Sequence, residues 1–414
     1  MSTPPPAAAP TAAPAPMRGR SIAPDLARGA MLLLIAIANA PMLLWGYDSG
    51  LFGGHSLDGS VADRISQTIS ITAIDGRVYP MFALLFGYGI VQLYTRQTAA
   101  GVDPAQARRL LRRRQWWMLA FGFVHAALLW YGDILGTYGL VGLLLVWLFL
   151  DRADRTIRRW VIWLTSLLTV VMLLAAVGGF VGGSSMPVPS PGGGVAAFGS
   201  SEEPNYFIAA AKRIGEWAIF NTPAGLFGFV VPIAVLVGFL AARHRVLDRP
   251  SEHIPLLRRT AVIGLTIGWG TGLVTALQNL DAWGLGRSFD PAFVSVQYLG
   301  GLFGGVGYVA LFGLIAVRLE RGREVRGGST GPISEAVQAL GKRSLSGYLV
   351  QSVVLAPVLC AWGLGLGSTM TSWSVTVLAI AIWIVTVFAA AAYERAGTRG
   401  PAERLLRYLA YPRR

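Results

Sequence analysis

"FGFVHAALLWYGDIL", Phe121 to Leu135, lies inside a predominantly apolar run from Trp116 to Leu150, and the reading of that run decides the fold. As one α-helix its 35 residues would be about 52 Å long, against roughly 30 Å of bilayer hydrocarbon core. The run must therefore fold back on itself. The reversal belongs at "WYGDI", where Gly132 permits the turn and Asp133 reaches the interface. The same stretch places a histidine and an aspartate in apolar surroundings. Ionisable groups inside a membrane are costly, which makes them functional candidates by default.

The rest of the chain has the composition of an all-α, polytopic integral membrane protein. Of 414 residues, 54% are hydrophobic and 14% charged, and the mean hydropathy is +0.54. The single cysteine, Cys360, excludes an internal disulfide and a cysteine-based metal site. There is no HExxH, so metalloprotease chemistry has no anchor, and no metal is expected. "WGLGLGS", Trp362 to Ser368, follows a spanning segment and not a strand, so it reads as a loop and not as a nucleotide-binding turn. A net charge of +14 would suggest nucleic acid only with a basic face on a soluble domain; here the charge follows topology, and no nucleic-acid partner is expected.

Ten segments are long and apolar enough to be spanning candidates: Gly29 to Trp45, Val78 to Tyr94, Trp116 to Tyr131, Ile134 to Leu150, Trp160 to Phe180, Gly225 to Ala242, Thr260 to Gln278, Val296 to Val317, Leu345 to Trp362 and Trp373 to Tyr393. With both termini cytoplasmic, the inner connections carry 30 of the 35 Lys and Arg residues and the outer ones carry 5, the bias expected of a multi-pass protein of the inner (plasma) membrane. Around the membrane domain, residues 18–393, lie a Pro/Ala tail at 1–17 that reads as disordered and a basic tail at 394–414. Two outer connections are long: 46–77, and the Gly/Pro/Ser-rich 181–216, which reads as a mobile loop.

Against this topology His125 falls in the outer half of the membrane. Asp133, continued along a helix, lies about 12 Å further and about 80° around the axis. The two share a side, but a direct hydrogen bond is out of reach, so a partnership needs a substrate, a water or another helix between them. The alternative is an interhelical histidine and a solvated turn aspartate. Asn39 in "IANAP" is an amide in the outer half of an apolar helix, suited to an interhelical partner or to an oxyanion. His55, in the polar outer loop, is either a wet loop residue or a base. Asp25 and Arg28, three apart at the inner rim, suit a helix cap and an ion pair. "RRLLRRRQWW" sets Arg108, Arg109, Arg112, Arg113 and Arg114 ahead of a span, for topogenesis and anionic lipid or for capture of a phosphate-bearing donor. "GGLFGG", Gly300 to Gly305, reads as close helix packing. "GKRSLSGYLVQS" brings Ser346, Tyr348 and Gln351 into one span, as a polar lumen or a bonded interface.

"DLARGAMLLLIAIAN", "YPMFALLFGYGI", "RRLLRRRQWWMLAFGFVHAALLWYGDILGTYGLVG" and "GKRSLSGYLVQS" together resemble the YeiB-like bacterial membrane proteins, a family of unknown function (domain of unknown function 418), from about Arg18 to about Tyr393. The resemblance implies a distant relation to transmembrane acyltransferases, which include sugar O-acyltransferases and heparan-α-glucosaminide N-acetyltransferase. These move an acyl group from cytoplasmic acyl-CoA to an acceptor on the other side. Asp25, Arg28 and Gly29 match the start of the first span in both groups, and Asn39 matches an asparagine near its end in the glucosaminide enzyme. That enzyme uses a histidine in the following outer loop, for which His55 is the candidate. The O-acyltransferases carry a histidine in the first span, and this sequence has none between Asp25 and Trp45.

The leading expectation is an acyltransferase-like enzyme in the lipid bilayer, with no bound cofactor and acyl-CoA as donor substrate. His125 or His55 is the base, with Asp133 and Asn39 in support, the five arginines hold the donor phosphates, and the acceptor is extracytoplasmic. The alternatives are a transporter or exporter of a small lipid-linked or hydrophobic molecule, and a non-catalytic scaffold. No obvious inverted repeat supports the transporter.

Overall fold

A computed structural model describes residues 21–183, 199–325 and 327–411. The Pro/Ala tail and much of the Gly/Pro/Ser-rich connection lie outside the described residues. In chain order the α-helices are α1 (Ile22–Asn39), α2 (Val61–Ile69), α3 (Val78–Ala99), α4 (Pro104–Leu128), α5 (Ile134–Phe149), α6 (Asp154–Gly182), α7 (Tyr206–Glu216), α8 (Thr222–Phe227), α9 (Val230–Arg243), α10 (Ile254–Asn279), α11 (Asp290–Val325), α12 (Pro332–Gly341), α13 (Ser344–Leu359), α14 (Ser372–Arg395) and α15 (Pro401–Ala410). Among the described residues there is no strand, only a bridge between Ser49 and Ser56.

Each of the ten apolar segments is helical over most of its length. Among the described residues six helical stretches are long and apolar enough to cross a membrane: Ile22–Leu43, Val61–Ala99, Asp154–Gly182, Pro250–Asn279, Arg287–Val325 and Ser372–Arg395. A seventh arises if the stretch from α7 to α9, bent by 48° at its break, counts as one. The other candidates fall short for physical reasons. Helices α5 and α13 have 16 residues each, about 24 Å of rise, and α4 spends its first half on arginines.

Polar contacts sort the helix ends into two groups. At one end Ser21 donates to Asp248, Arg108 meets Asp151 (3.2 Å), Arg243 meets Asp154 (2.6 Å) and Arg343 meets Glu394 (2.7 Å). At the other, Gln67 donates to Ser56 (3.0 Å) and Ser372 (3.1 Å), Asn279 donates to Gln67 (3.2 Å), and Gln278 donates to Asp290 (2.9 Å).

Two connections that read as loops contain helix. Within 46–77, α2 starts at a reciprocal cap of Ser60 and Asp63 and continues as a π-helical turn over Ser70–Ile74. Within 181–216, α7 starts at Asn205, whose side chain accepts from the Phe207 (3.0 Å) and Ile208 (3.2 Å) amides. The Gly/Pro-rich composition of the connection as a whole masks this short amphipathic segment.

Close approach of helices is written in glycine. "GGLFGG" lies on α11 against α10, where a Cβ on Gly268 would come 2.6 Å from the Gly304 Cα. The same device joins α4 to α5: a Cβ on Gly122 would lie 2.0 Å from the Gly136 nitrogen. In a membrane, such small-residue contacts replace the hydrophobic drive between helices.

Candidate active site

Helix α4 ends at Leu128, where the His125 carbonyl accepts from the Leu129 (2.9 Å) and Trp130 (3.2 Å) amides. The chain then turns back, so the projection of Asp133 along a continuing helix does not apply. Asp133 caps α5, its Oδ2 accepting from the Gly136 amide at 2.6 Å. Its Oδ1 lies 2.9 Å from His125 Nδ1. The two residues expected to be out of reach are therefore directly bonded, and the aspartate expected at the interface is fully buried. Side-chain exposures are 1% for His125 and 0% for Asp133.

With Nδ1 engaged by the carboxylate, the neutral imidazole carries its lone pair on Nε2. That atom is buried and has no hydrogen-bond partner among the described residues. The Tyr348 ring lies against the imidazole, centroids 5.2 Å apart, and its hydroxyl accepts from the Ile134 amide at 3.4 Å. An oriented imidazole with one free basic nitrogen is the arrangement of a general base.

Tyr348 also lines a cavity of about 270 Å³. Its inner walls are Phe82, Leu85 and Phe86 of α3, Met118 of α4 and Leu135 of α5. Its mouth is cationic: Arg96, Arg114, Lys342, Arg399 and Arg407 line it, against one carboxylate, Glu403, and Arg28 lines it deeper, at the Leu85 carbonyl. Glu403 is already occupied, accepting from the Leu345 (2.9 Å) and Ser346 (3.1 Å) amides and the Ser346 hydroxyl (2.5 Å). Lys342 is held by Glu394 at 2.6 Å. Burial and the neighbouring Arg399 hold the Arg407 guanidinium below its usual value, and it remains a cation at neutral pH. The mouth therefore favours an anion, and arginine forks suit phosphate.

Of the five arginines ahead of the third span, only Arg114 lines this cavity. Arg108 pairs with Asp151, and Arg109, Arg112 and Arg113 are exposed. Arg28 lies 3.5 Å from Asp25, also donates to the Leu85 carbonyl (3.1 Å), and lines the cavity. Gln351 is a strut, donating to the Leu32 carbonyl at 2.9 Å. Ser346 ties α13 to Glu403. Asn39 ends α1 and does not line the cavity.

His55 is not a wet loop residue. It is 1% exposed, with Nε2 3.0 Å from Asp75 Oδ2 and Nδ1 3.5 Å from the Ser372 hydroxyl. Ser70 donates to the other Asp75 oxygen at 2.9 Å. This second His–Asp pair binds the loop to α14 at the end of the bundle away from the arginines.

Arg96, Lys342, Arg399 and Arg407 were not legible as site residues, since they come from segments far apart in the sequence. Nor was Arg213, which donates to the Ala127 carbonyl (2.9 and 3.2 Å) and lies between the Tyr206 (5.3 Å) and Trp362 (5.4 Å) rings. It closes the end of α4 just beyond His125. Its signal was available: it is one of only 5 Lys and Arg residues in the connections expected to lie outside. Among the described residues no group of three or more His, Cys, Asp or Glu is placed to hold a metal ion.

Residues 241–413 match the family described as "Protein of unknown function (DUF418)". The chain is 25% identical over 366 residues to the uncharacterized protein YxaH of Bacillus subtilis (strain 168), covering 85% of this chain and 83% of that one. It is 23% identical over 402 residues to the uncharacterized protein YeiB of Escherichia coli (strain K12), covering 94% of this chain and 96% of that one.

Proposed function

We propose that this helical, membrane-type protein of the DUF418/YeiB family is an acyltransferase of the inner membrane. In this reading it crosses the bilayer ten times with both termini cytoplasmic, and the arginine-lined mouth opens to the cytoplasm. The alternation of helix ends and the placement of Lys and Arg support that topology. A thioester donor of the acyl-CoA type enters phosphate end outermost, and its acyl end reaches the Tyr348 side of the cavity.

His125 Nε2 takes the proton of an acceptor hydroxyl or amine as the acceptor oxygen or nitrogen bonds to the acyl carbon. The carbon–sulfur bond breaks, and the thiolate leaves with the proton returned by the imidazolium. Asp133 holds the tautomer and faces the imidazolium charge as it forms. The acceptor arrives from the outer face, toward which α4 ends.

The single observation that carries this reading is the cavity running from a ring of cations to Tyr348, which lies against the buried His125–Asp133 pair. The test is release or transfer of label from a radiolabelled acyl-CoA by the purified protein in lipid nanodiscs, with His125→Gln as control. Turnover that His125→Gln abolishes supports the proposal; no turnover with short, medium or long acyl chains overturns it.

A further inference from the structure

Gln115 is fully buried, yet neither its amide nitrogen nor its amide oxygen has a hydrogen-bond partner among the described residues. Buried amides are almost always paired, so one with both ends open asks for a partner. Gln115 lines the cavity, beside Arg114 of the mouth and before Met118. It is wedged against α5, where a Cβ on Gly142 would come 3.1 Å from its side-chain carbon and from the Phe86 ring. Any larger residue at position 142 would crowd the amide; the glycine leaves it room beside the cavity.

The cavity thus carries three kinds of recognition in order. Cations stand at the mouth, an unpaired amide stands just inside, and apolar rings follow up to Tyr348. Gln115 and His125 share α4 and lie about 15 Å apart along its axis, about the span of four extended residues. A rod-like ligand that fits this order has a phosphate end, an amide within its arm and an acyl thioester beyond.

Building on the acyl-transfer reading, we infer that Gln115 recognises an amide in the pantetheine-type arm of the donor. Its Oε1 accepts from the arm's N–H and its Nε2 donates to the arm's carbonyl. The site therefore selects thioesters whose arm carries an amide over thioesters that offer only an acyl chain.

The experiment compares binding of coenzyme A with binding of adenosine 3′,5′-bisphosphate, which keeps phosphates but lacks the arm, by calorimetry on the full chain in nanodiscs. In Gln115→Leu and in the unbranched Gln115→Met, coenzyme A should bind about tenfold more weakly, the equivalent of about 1.4 kcal/mol, while the bisphosphate binds as it does to the unaltered protein. Arg114→Ala should weaken both ligands. Unchanged coenzyme A affinity in a folded Gln115 variant overturns the inference and leaves the acyl-transfer reading standing. Equal weakening of both ligands by both Gln115 variants also overturns it, because the residue then only holds the cavity open. If the unaltered protein binds neither ligand, the donor assignment itself fails.

Discussion

His125 Nδ1 lies 2.9 Å from Asp133 Oδ1 across the α4–α5 turn, while Asp133 Oδ2 receives the Gly136 amide. One carboxylate therefore fixes both a helix start and an imidazole. His125→Gln can keep a bond to Asp133 but cannot cycle a proton. Acyl transfer should fall by about 100-fold or more, with the detergent melting temperature little changed. Asp133→Asn should lower both turnover and melting temperature. Full turnover in His125→Gln would reduce the pair to a strut.

The pair depends on how closely α4 approaches α5. A Cβ on Gly122 would meet the Gly136 nitrogen at 2.0 Å and Asp133 Oδ2 at 2.3 Å. Gly122→Ala should destabilise the protein by about 1–3 kcal/mol and lower turnover by displacing the carboxylate. Gly178, beside which a Cβ would meet nothing, should accept alanine without loss. Equal melting temperatures for the two variants would contradict this packing.

Arg213 closes α4 through the Ala127 carbonyl and lies between two aromatic rings. Removing it strands buried carbonyl groups and forfeits both cation–π contacts. Arg213→Ala should cost about 2–4 kcal/mol, and Arg213→Lys, which lacks the planar fork, should recover only part. Thermal unfolding of the two variants decides the matter; full recovery by lysine would show that charge alone suffices.

The His55–Asp75 pair behaves differently. His55 and Asp75 meet at 3.0 Å and join the loop to α14 through Ser372. His55→Leu should lower the melting temperature, because Asp75 loses a buried partner at a cost of about 1–3 kcal/mol, while thioester cleavage per folded molecule is retained. Loss of cleavage with stability intact in His55→Gln would move the base to this end of the bundle.

Topology is open to a direct measurement. Single cysteines introduced at Gly101, Asp151 and Asp248 in a Cys360→Ala background should be shielded from an impermeant maleimide in intact cells, and those at Ser60 and Gly284 should react. Labelling from outside at Asp151 would overturn the ten-crossing arrangement.

Helical class and the fold-back of the long apolar run were legible in the sequence, because hydropathy and length are local properties of segments. So was the close packing at "GGLFGG", since glycine spacing along one helix reports which face can approach a neighbour. The family resemblance was equally a matter of ordered local blocks, and the DUF418 match at 241–413 bears it out.

What only the tertiary structure decided is which residues meet. Helical projection placed Asp133 about 12 Å from His125, but α4 stops at Leu128 and the turn brings the carboxylate back to the ring. The five clustered arginines suited topogenesis and lipid contact or a single phosphate site, yet α4 presents only Arg114 to the cavity, and the remaining cations arrive from α1, α3, α15 and the segments beside α13 and α15. His55 looked wet because its loop is polar, but α14 covers it through Ser372. In each case the deciding quantity is the register between helices far apart in sequence, set by interhelical packing and turn geometry, which no local pattern of apolar and charged residues encodes.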